Sequence, residues 1–245
     1  MSSLYLQEIE DALPVGDKVL QEIHQGVFVI TYKGQEGVLK LCNPYETELY
    51  HEIWKDENQT INRHYFPEII GYLNFHDEED QKGSLLPLLA ITKYVKNTIS
   101  LNDLFRHKLS PLVFTRLIND CFDALNSLHS CGIIHGDLGV MGGTGTNVLI
   151  VNPIFEDNVM INYTDILMID YSHFYEDAED IELKKDKYAL AVCLFNFCFP
   201  RVNFIYEHSP IDFIISEIDL IINDDSFQNY KETVIKLRSM LIENQ

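Results

Sequence analysis

Between Lys18 and Cys42 the apolar positions are spaced as in strands. VFVITYKGQEGVLKLC holds two runs rich in Val, Ile, Thr and Tyr, with KGQEG between them as turn chemistry for a hairpin. At Asn43-Pro44 the spacing turns helical: Asn can cap, Pro fits a first turn, and Leu49, Ile53 and Trp54 form an apolar stripe. FPEIIGYLNF and LLPLLAITKYV then predict two more strands, with HDEEDQKGS as an exposed turn between them. After KNTIS the pattern changes. Phe114, Leu117, Ile118, Cys121, Leu125 and Leu128 recur at spacings of three and four, which predicts a long amphipathic helix over 111–131. NVLIV and DILMID read as short strands joined by a loop. DKYALAVCLFNFCF is apolar almost all round, as in a helix buried inside a lobe. From Ile211 onward apolar residues at helical spacing alternate with Asp and Glu, which predicts packing helices. The expected class is α+β, with a small β-rich lobe over residues 1–96 and a mainly helical lobe over 97–245.

Composition narrows this picture. An apolar fraction of 46% over 245 residues allows a substantial core and is not that of a disordered chain. The formal net charge of −20 argues against a nucleic-acid or anionic-membrane surface, since phosphate polyanions would be repelled. The five cysteines (Cys42, Cys121, Cys131, Cys193 and Cys198) are odd in number, with no CxxC pair. That suits thiols used as small core residues in a reducing compartment. No basic stretch precedes an apolar one at the N-terminus and no apolar run reaches the length of a membrane span. The expected location is the cytoplasm, or a host cytosol after export by a non-classical route.

Candidate chemistry is carried by four polar residues in apolar settings. Lys40 lies in VLKL, where a charged side chain needs a partner, although an edge-strand lysine reaching for solvent would look the same. Asp137 follows IIHG at the end of the long helix, Asn147 opens NVLIV and Asp170 closes LMID. Singly, an Asp or Asn at a strand end is an ordinary turn or cap. Between them HGDLGVMGGTGTNVLI holds five glycines within ten residues. A Walker loop needs a strand before it and Gly-Lys-Ser/Thr opening a helix. Here a helix precedes, a strand follows and no lysine is present, so the chemistry belongs to the ends, Asp137 and Asn147.

The order strand lysine, helix–HGD, Asn–strand, strand–Asp, buried helix resembles the protein-kinase superfamily over roughly residues 18–200. LNSLHSCGIIHGDL with NVLI is similar to the catalytic loop and its flanks, and IDYSHF to the metal-binding DFG segment, with Tyr171 and Ser172 for Phe and Gly. The resemblance implies a bilobal kinase-like fold using ATP and Mg²⁺, or Mn²⁺ in its place. It gives Lys40 the α/β-phosphates, Asp137 the acceptor hydroxyl, and Asn147 and Asp170 the metal. It also puts Val38 over the adenine and Leu149 under it, Thr92 at the back of the pocket, Lys93, Tyr94 and Val95 in the hinge, and Asp186 in an anchoring position. Among Glu46, Glu48, Glu52 and Glu57, Glu46 matches the family helix pattern but lies only six residues past Lys40, so Glu48 is taken as its partner.

Four departures bear on function. Gln25-Gly26 stands where the family carries GxGxxG, and His135-Gly136-Asp137 lacks the arginine that binds an activation-loop phosphate. The segment from Asp170 to Asp186, sixteen positions further on, is acidic and carries no APE-like motif, so control by phosphorylation there is not expected. Asp137 and Asn147 are ten residues apart against about five in the family, and the extra residues fall within GVMGGTG. The expected function is an atypical serine/threonine protein kinase with a protein acceptor. The alternatives are a small-molecule kinase of the aminoglycoside or choline type, which the short segment fits, and a pseudokinase acting as a binding module. A protein partner of unknown kind is compatible with all three.

Overall fold

The computed structural model describes residues 3–41, 44–55, 62–74, 88–138, 146–171, 173–174, 180–198 and 209–243. The chain divides into two compact units, Met1–Glu57 with Pro67–Val95, and Asn58–Phe66 with Lys96–Gln245. The expected α+β class holds: the first unit is built on a sheet and the second is mainly helical. Among the described residues no helix is long and apolar enough to cross a membrane. The turn over 76–84, the Asn43 cap and GVMGGTG at 139–145 lie outside the described residues.

The first unit begins with helix α1 (Ser3–Ala12), which the strand-like pattern downstream did not announce. Strands β1 (Val19–His24), β2 (Val27–Tyr32) and β3 (Gln35–Lys40) follow, then helix α2 (Pro44–Lys55) and strands β4 (Ile69–Asn74) and β5 (Leu88–Lys93). The five strands form one sheet in the order β1-β2-β3-β5-β4, with every neighbour antiparallel. The hairpin read from KGQEG closes on Lys33-Gly34, both left-handed at φ 50° and 78°. That is the two-residue turn whose twist suits a hairpin, and the Asp17 carboxylate accepts from the Lys33 amide at 2.6 Å. Ile9 of α1 and Leu13 just after it join Phe28, Ile30, Leu39, Leu73, Leu89 and Ile91 in one buried cluster. Side chains alternate along a strand, so Leu39 faces α1 while Val38 and Lys40 occupy the opposite face.

The second unit takes in the residues after α2 that the sequence pattern assigned to the first lobe. A 3₁₀ turn at Arg63–Tyr65 and buried Phe66 belong to it. His64 lies 3.8 Å from the Asp165 carboxylate, and burial together with Asp120, Asp123 and Asp165 pushes the Tyr65 hydroxyl up to about 12. Strand β6 (Thr98–Ser100), a 3₁₀ turn at Leu101–Arg106 and strand β7 (Lys108–Leu109) lead to helix α3 (Pro111–Ser130). Ser110 caps α3, Pro111 opens it, and all six apolar residues that predicted it are buried. Strands β8 (Ile133–Ile134) and β9 (Val148–Val151) come next. The segment read as a loop is a hairpin, β10 (Ile154–Glu156) and β11 (Val159–Asn162), turning on Asp157-Asn158 at φ 47° and 64°. Asp and Asn tolerate that conformation better than other L-residues. Strand β12 (Asp165–Met168) runs antiparallel to β9, and β13 (His173–Phe174) antiparallel to β8. Helix α4 (Asp180–Cys198) is buried over 190–196, and α5 (Ile211–Ile222) and α6 (Lys231–Glu243) complete the unit.

Candidate functional site

In the first unit the chemistry centres on the end of β3. The Lys40 ammonium meets both carboxylate oxygens of Glu46, at 3.2 Å to Oε1 and 3.0 Å to Oε2. This corrects the expected pairing with Glu48, which is exposed. A helix turns 100° per residue, so Glu46 shares a face with Leu49 and Ile53, three and seven residues on, and Glu48 does not. Both of those residues are fully buried, and their burial turns Glu46 inward to the lysine. Glu52 is half-buried and Glu57 lies outside the described residues. Val38 sits directly opposite buried Thr92 on β5, which puts their side chains on the sheet face that carries Lys40. Beyond β5 the Tyr94 amide donates to the Glu36 carbonyl at 3.0 Å, tying the segment with Tyr94 and Val95 to β3. Gly37 is needed between them, because a Cβ there would stand 2.6 Å from Ile91 Cγ2.

In the second unit three of the singled-out residues converge at one end of a ladder. Met168 pairs with Val148, and the Ile169 amide donates to the Asn147 carbonyl at 2.9 Å. Asn147 and Asp170 therefore flank the same end of β9 and β12. Asn147 Nδ2 donates to Asp137 twice, to the backbone oxygen and to Oδ2, each at 3.0 Å. Asp170 holds a left-handed backbone at φ 63°, a conformation that costs a non-glycine residue about 1 kcal/mol and clusters at functional sites. Leu149 is half-buried in β9, opposite Leu167 on β12 and Ser100 on β6.

The Asp137 segment is held by a side chain from α4. Buried Asp186 accepts from the amides of His135 at 2.7 Å and Gly136 at 2.9 Å, and from His129 Nε2 at 3.0 Å. Burial alone would raise this carboxyl. The bonds from His129 and from the two amides outweigh it and keep Asp186 below the ordinary carboxylate value. His129, on the last turn of α3, was not singled out by the sequence; its signal is the LHS triplet before IIHGD. Gly136 takes φ 70°, a left-handed position that favours glycine.

His135 is fully buried, its Nδ1 accepts a long 3.4 Å bond from the Asp137 amide, and burial lowers its pKa against the pull of Asp186. Its ring meets Tyr171 edge-on at 5.8 Å, and Tyr171 meets Phe66 likewise at 5.9 Å. The Tyr171 hydroxyl donates to the Met168 carbonyl at 2.5 Å, so tyrosine fits this buried site without an orphaned polar atom.

Asn147 and Asp170 carry hard oxygen donors of the kind a divalent cation takes. The Asn147 amide nitrogen is committed to Asp137, and its Oδ1 accepts a 3.3 Å bond from the Thr146 hydroxyl, leaving this oxygen a second lone pair. Among the described residues no group of three His, Cys, Asp or Glu side chains could cage a metal. One carboxylate and one amide oxygen, completed by phosphate and water oxygens, are the usual protein share of a Mg²⁺ site.

No protein-family model matches the chain, and no curated protein matches it in sequence. In structure the chain is similar to the PknI kinase domain of Mycobacterium tuberculosis. With one double mutant of that domain the match covers 94% of this chain and 96% of that one, at 15% identity and a TM-score of 0.48. A second double mutant gives 96%, 98%, 16% and 0.48, and a single mutant 94%, 96%, 17% and 0.49, in the same order.

Proposed function

We propose that the chain is an ATP-dependent phosphotransferase, an atypical serine/threonine protein kinase that moves the γ-phosphoryl group of ATP to a protein hydroxyl. The observation that carries this reading is the pair Asp137–Asn147, bonded side chain to side chain at 3.0 Å, at the end of a ladder whose other strand leads into Asp170. Phosphoryl transfer needs positioned charge more than covalent help. Asp137, its Oδ2 fixed by Asn147, accepts a hydrogen bond from the acceptor hydroxyl and takes its proton as the bond to phosphorus forms. Lys40, held by Glu46, binds phosphate oxygens of the nucleotide. Asn147 and Asp170 would hold Mg²⁺ or Mn²⁺, which would neutralise charge on the departing phosphates. Val38 and Thr92 supply apolar and small surfaces for the base, and the backbone at Tyr94 and Val95 its polar contacts.

The test is transfer of labelled phosphate from ATP–Mg²⁺ by the wild-type protein and by Asp137→Ala and Asp170→Ala, offered generic proteins and small hydroxyl compounds in parallel. Both variants are expected to lose at least about 100-fold in rate. Label in proteins supports the reading. Label confined to a small hydroxyl compound replaces it with the small-molecule alternative. Equal traces from wild type and variants remove the enzyme reading.

A further inference from the structure

The hairpin of β1 and β2 changes register just before its turn. Gln21 pairs with Val29 and Glu22 with Phe28, and continuing that register would set Ile23 opposite Val27. One extra residue enters β1 instead, and His24 stands opposite Val27. A bulge of this kind re-aims a side chain, and residues paired across an antiparallel ladder share a face of the sheet. Val27 is in turn the partner of Lys40 on β3. His24, Val27 and Lys40 thus form one cross-strand row on the face that carries the Lys40–Glu46 pair, opposite the face that α1 covers. The turn beside this row is held on both sides. The Gly26 amide donates to Glu22 Oε1 at 3.0 Å, and the Leu41 amide donates to the Gly26 carbonyl at 2.7 Å, which ties the turn to the residue after Lys40. Gln25 and Gly26 are its only residues, with Gly26 at φ 74°, so this connection is too short to fold over a ligand.

We infer that His24 is a phosphate-binding residue, whose imidazole donates to an oxygen of the same nucleotide phosphates that Lys40 holds. The inference rests on the phosphotransferase reading, in which Lys40 meets the phosphates. Neighbouring strands lie about 4.8 Å apart, so His24 and Lys40, two strands apart, stand about 10 Å from each other at the backbone. A phosphate group hydrogen-bonded to both side chains fills such a gap, with half-buried Val27 beneath it. His24 is exposed, so its ring meets a ligand without leaving a packed site. An imidazole offers a ring N–H in either protonation state, and a bond to a charged acceptor is stronger than a neutral one. The net charge of −20 repels a polyanion, and a turn of two residues has few amides to offer it. Side-chain donors gathered on one sheet face take over that task.

The test compares binding of ATP, ADP and adenosine, with Mg²⁺ in excess, by isothermal titration to wild type, His24→Ala, His24→Arg and Lys40→Ala. His24→Ala is expected to weaken ATP and ADP about 5- to 10-fold and to leave adenosine within about 2-fold, because only the phosphates meet the imidazole. His24→Arg, which keeps a donor and adds a fixed charge, is expected to tighten ATP and ADP about 2- to 5-fold, again with adenosine unchanged. Thermal midpoints near the wild-type value keep folding out of the comparison, and His24→Arg carries the test if the alanine form proves unstable. An equal loss for ATP and adenosine in His24→Ala, or ATP binding that His24→Arg does not strengthen, overturns the inference. So does a loss of ATP binding confined to Lys40→Ala, which leaves the phosphotransferase reading standing. Absence of ATP binding in the wild type overturns both.

Discussion

At the scale of single residues, the partner of Lys40 is decided by helix phase rather than by distance along the chain. Six residues look too few between lysine and glutamate, yet Pro44 opens α2 so soon after β3 that Glu46 already stands in its first turn. Glu46→Ala is therefore expected to lower the transfer rate about 10- to 100-fold, since the lysine loses its positioning, while Glu48→Ala stays within about 2-fold. Steady-state rates of the two variants side by side check this, and equal losses would return the pairing to Glu48. Asp137, Asn147 and Asp170 were legible in the sequence because each ends or opens an apolar run. The bond between the first two was not legible, since ten residues separate them and the intervening GVMGGTG carries no pattern of its own. His129 was missed for a plainer reason: a histidine in the last turn of an amphipathic helix looks like a favourable charge at its C-terminus.

At the scale of elements, the helices were read correctly where the apolar pattern is strong, on one face in α3 and almost all round in α4, while segments with unobtrusive turn chemistry were misread. Asp157-Asn158 makes a left-handed two-residue turn without glycine, and the hairpin around it passed for a loop. The glycines within the strands carry the opposite lesson. Gly71 follows a register shift in β4, and a Cβ there would lie 2.1 Å from Cε1 of buried Tyr32. A ring held inside the cluster under α1 cannot swing aside as a flexible side chain would. Gly71→Ala is expected to destabilise the protein by about 1–3 kcal/mol, as overpacking does. Denaturant unfolding gives the value, and a Tyr32→Leu background, which empties the contested space, should shrink it. Equal losses in the two backgrounds would mean that the clash is not the cause.

At the scale of the whole molecule, acid acts on the buried anchor of the Asp137 segment. The His135 imidazole has its pKa lowered by burial, so its stabilising contribution is complete above about pH 6.5 and is lost as the pH falls below that value. Asp186 is held below its ordinary value, so its contribution is complete above about pH 4 and is lost on further acidification. Neutralising carboxylates relieves repulsion in a chain at −20 and works the other way. A substitution isolates the histidine step: in His135→Phe the thermal midpoint should fall less steeply between about pH 6.5 and 5 than in wild type. Parallel midpoint curves would remove His135 from the acid response. The helix α1 has a consequence of another kind, for anyone choosing where the domain begins. The strand pattern starts near Lys18, and a recombinant form cut there would look complete by its sheet. It would lack Ile9 and Leu13, leaving bare a face formed by Phe28, Ile30, Leu39 and Ile91. Such a protein would be sticky rather than merely shorter, and a failed preparation would be mistaken for a fold that does not exist.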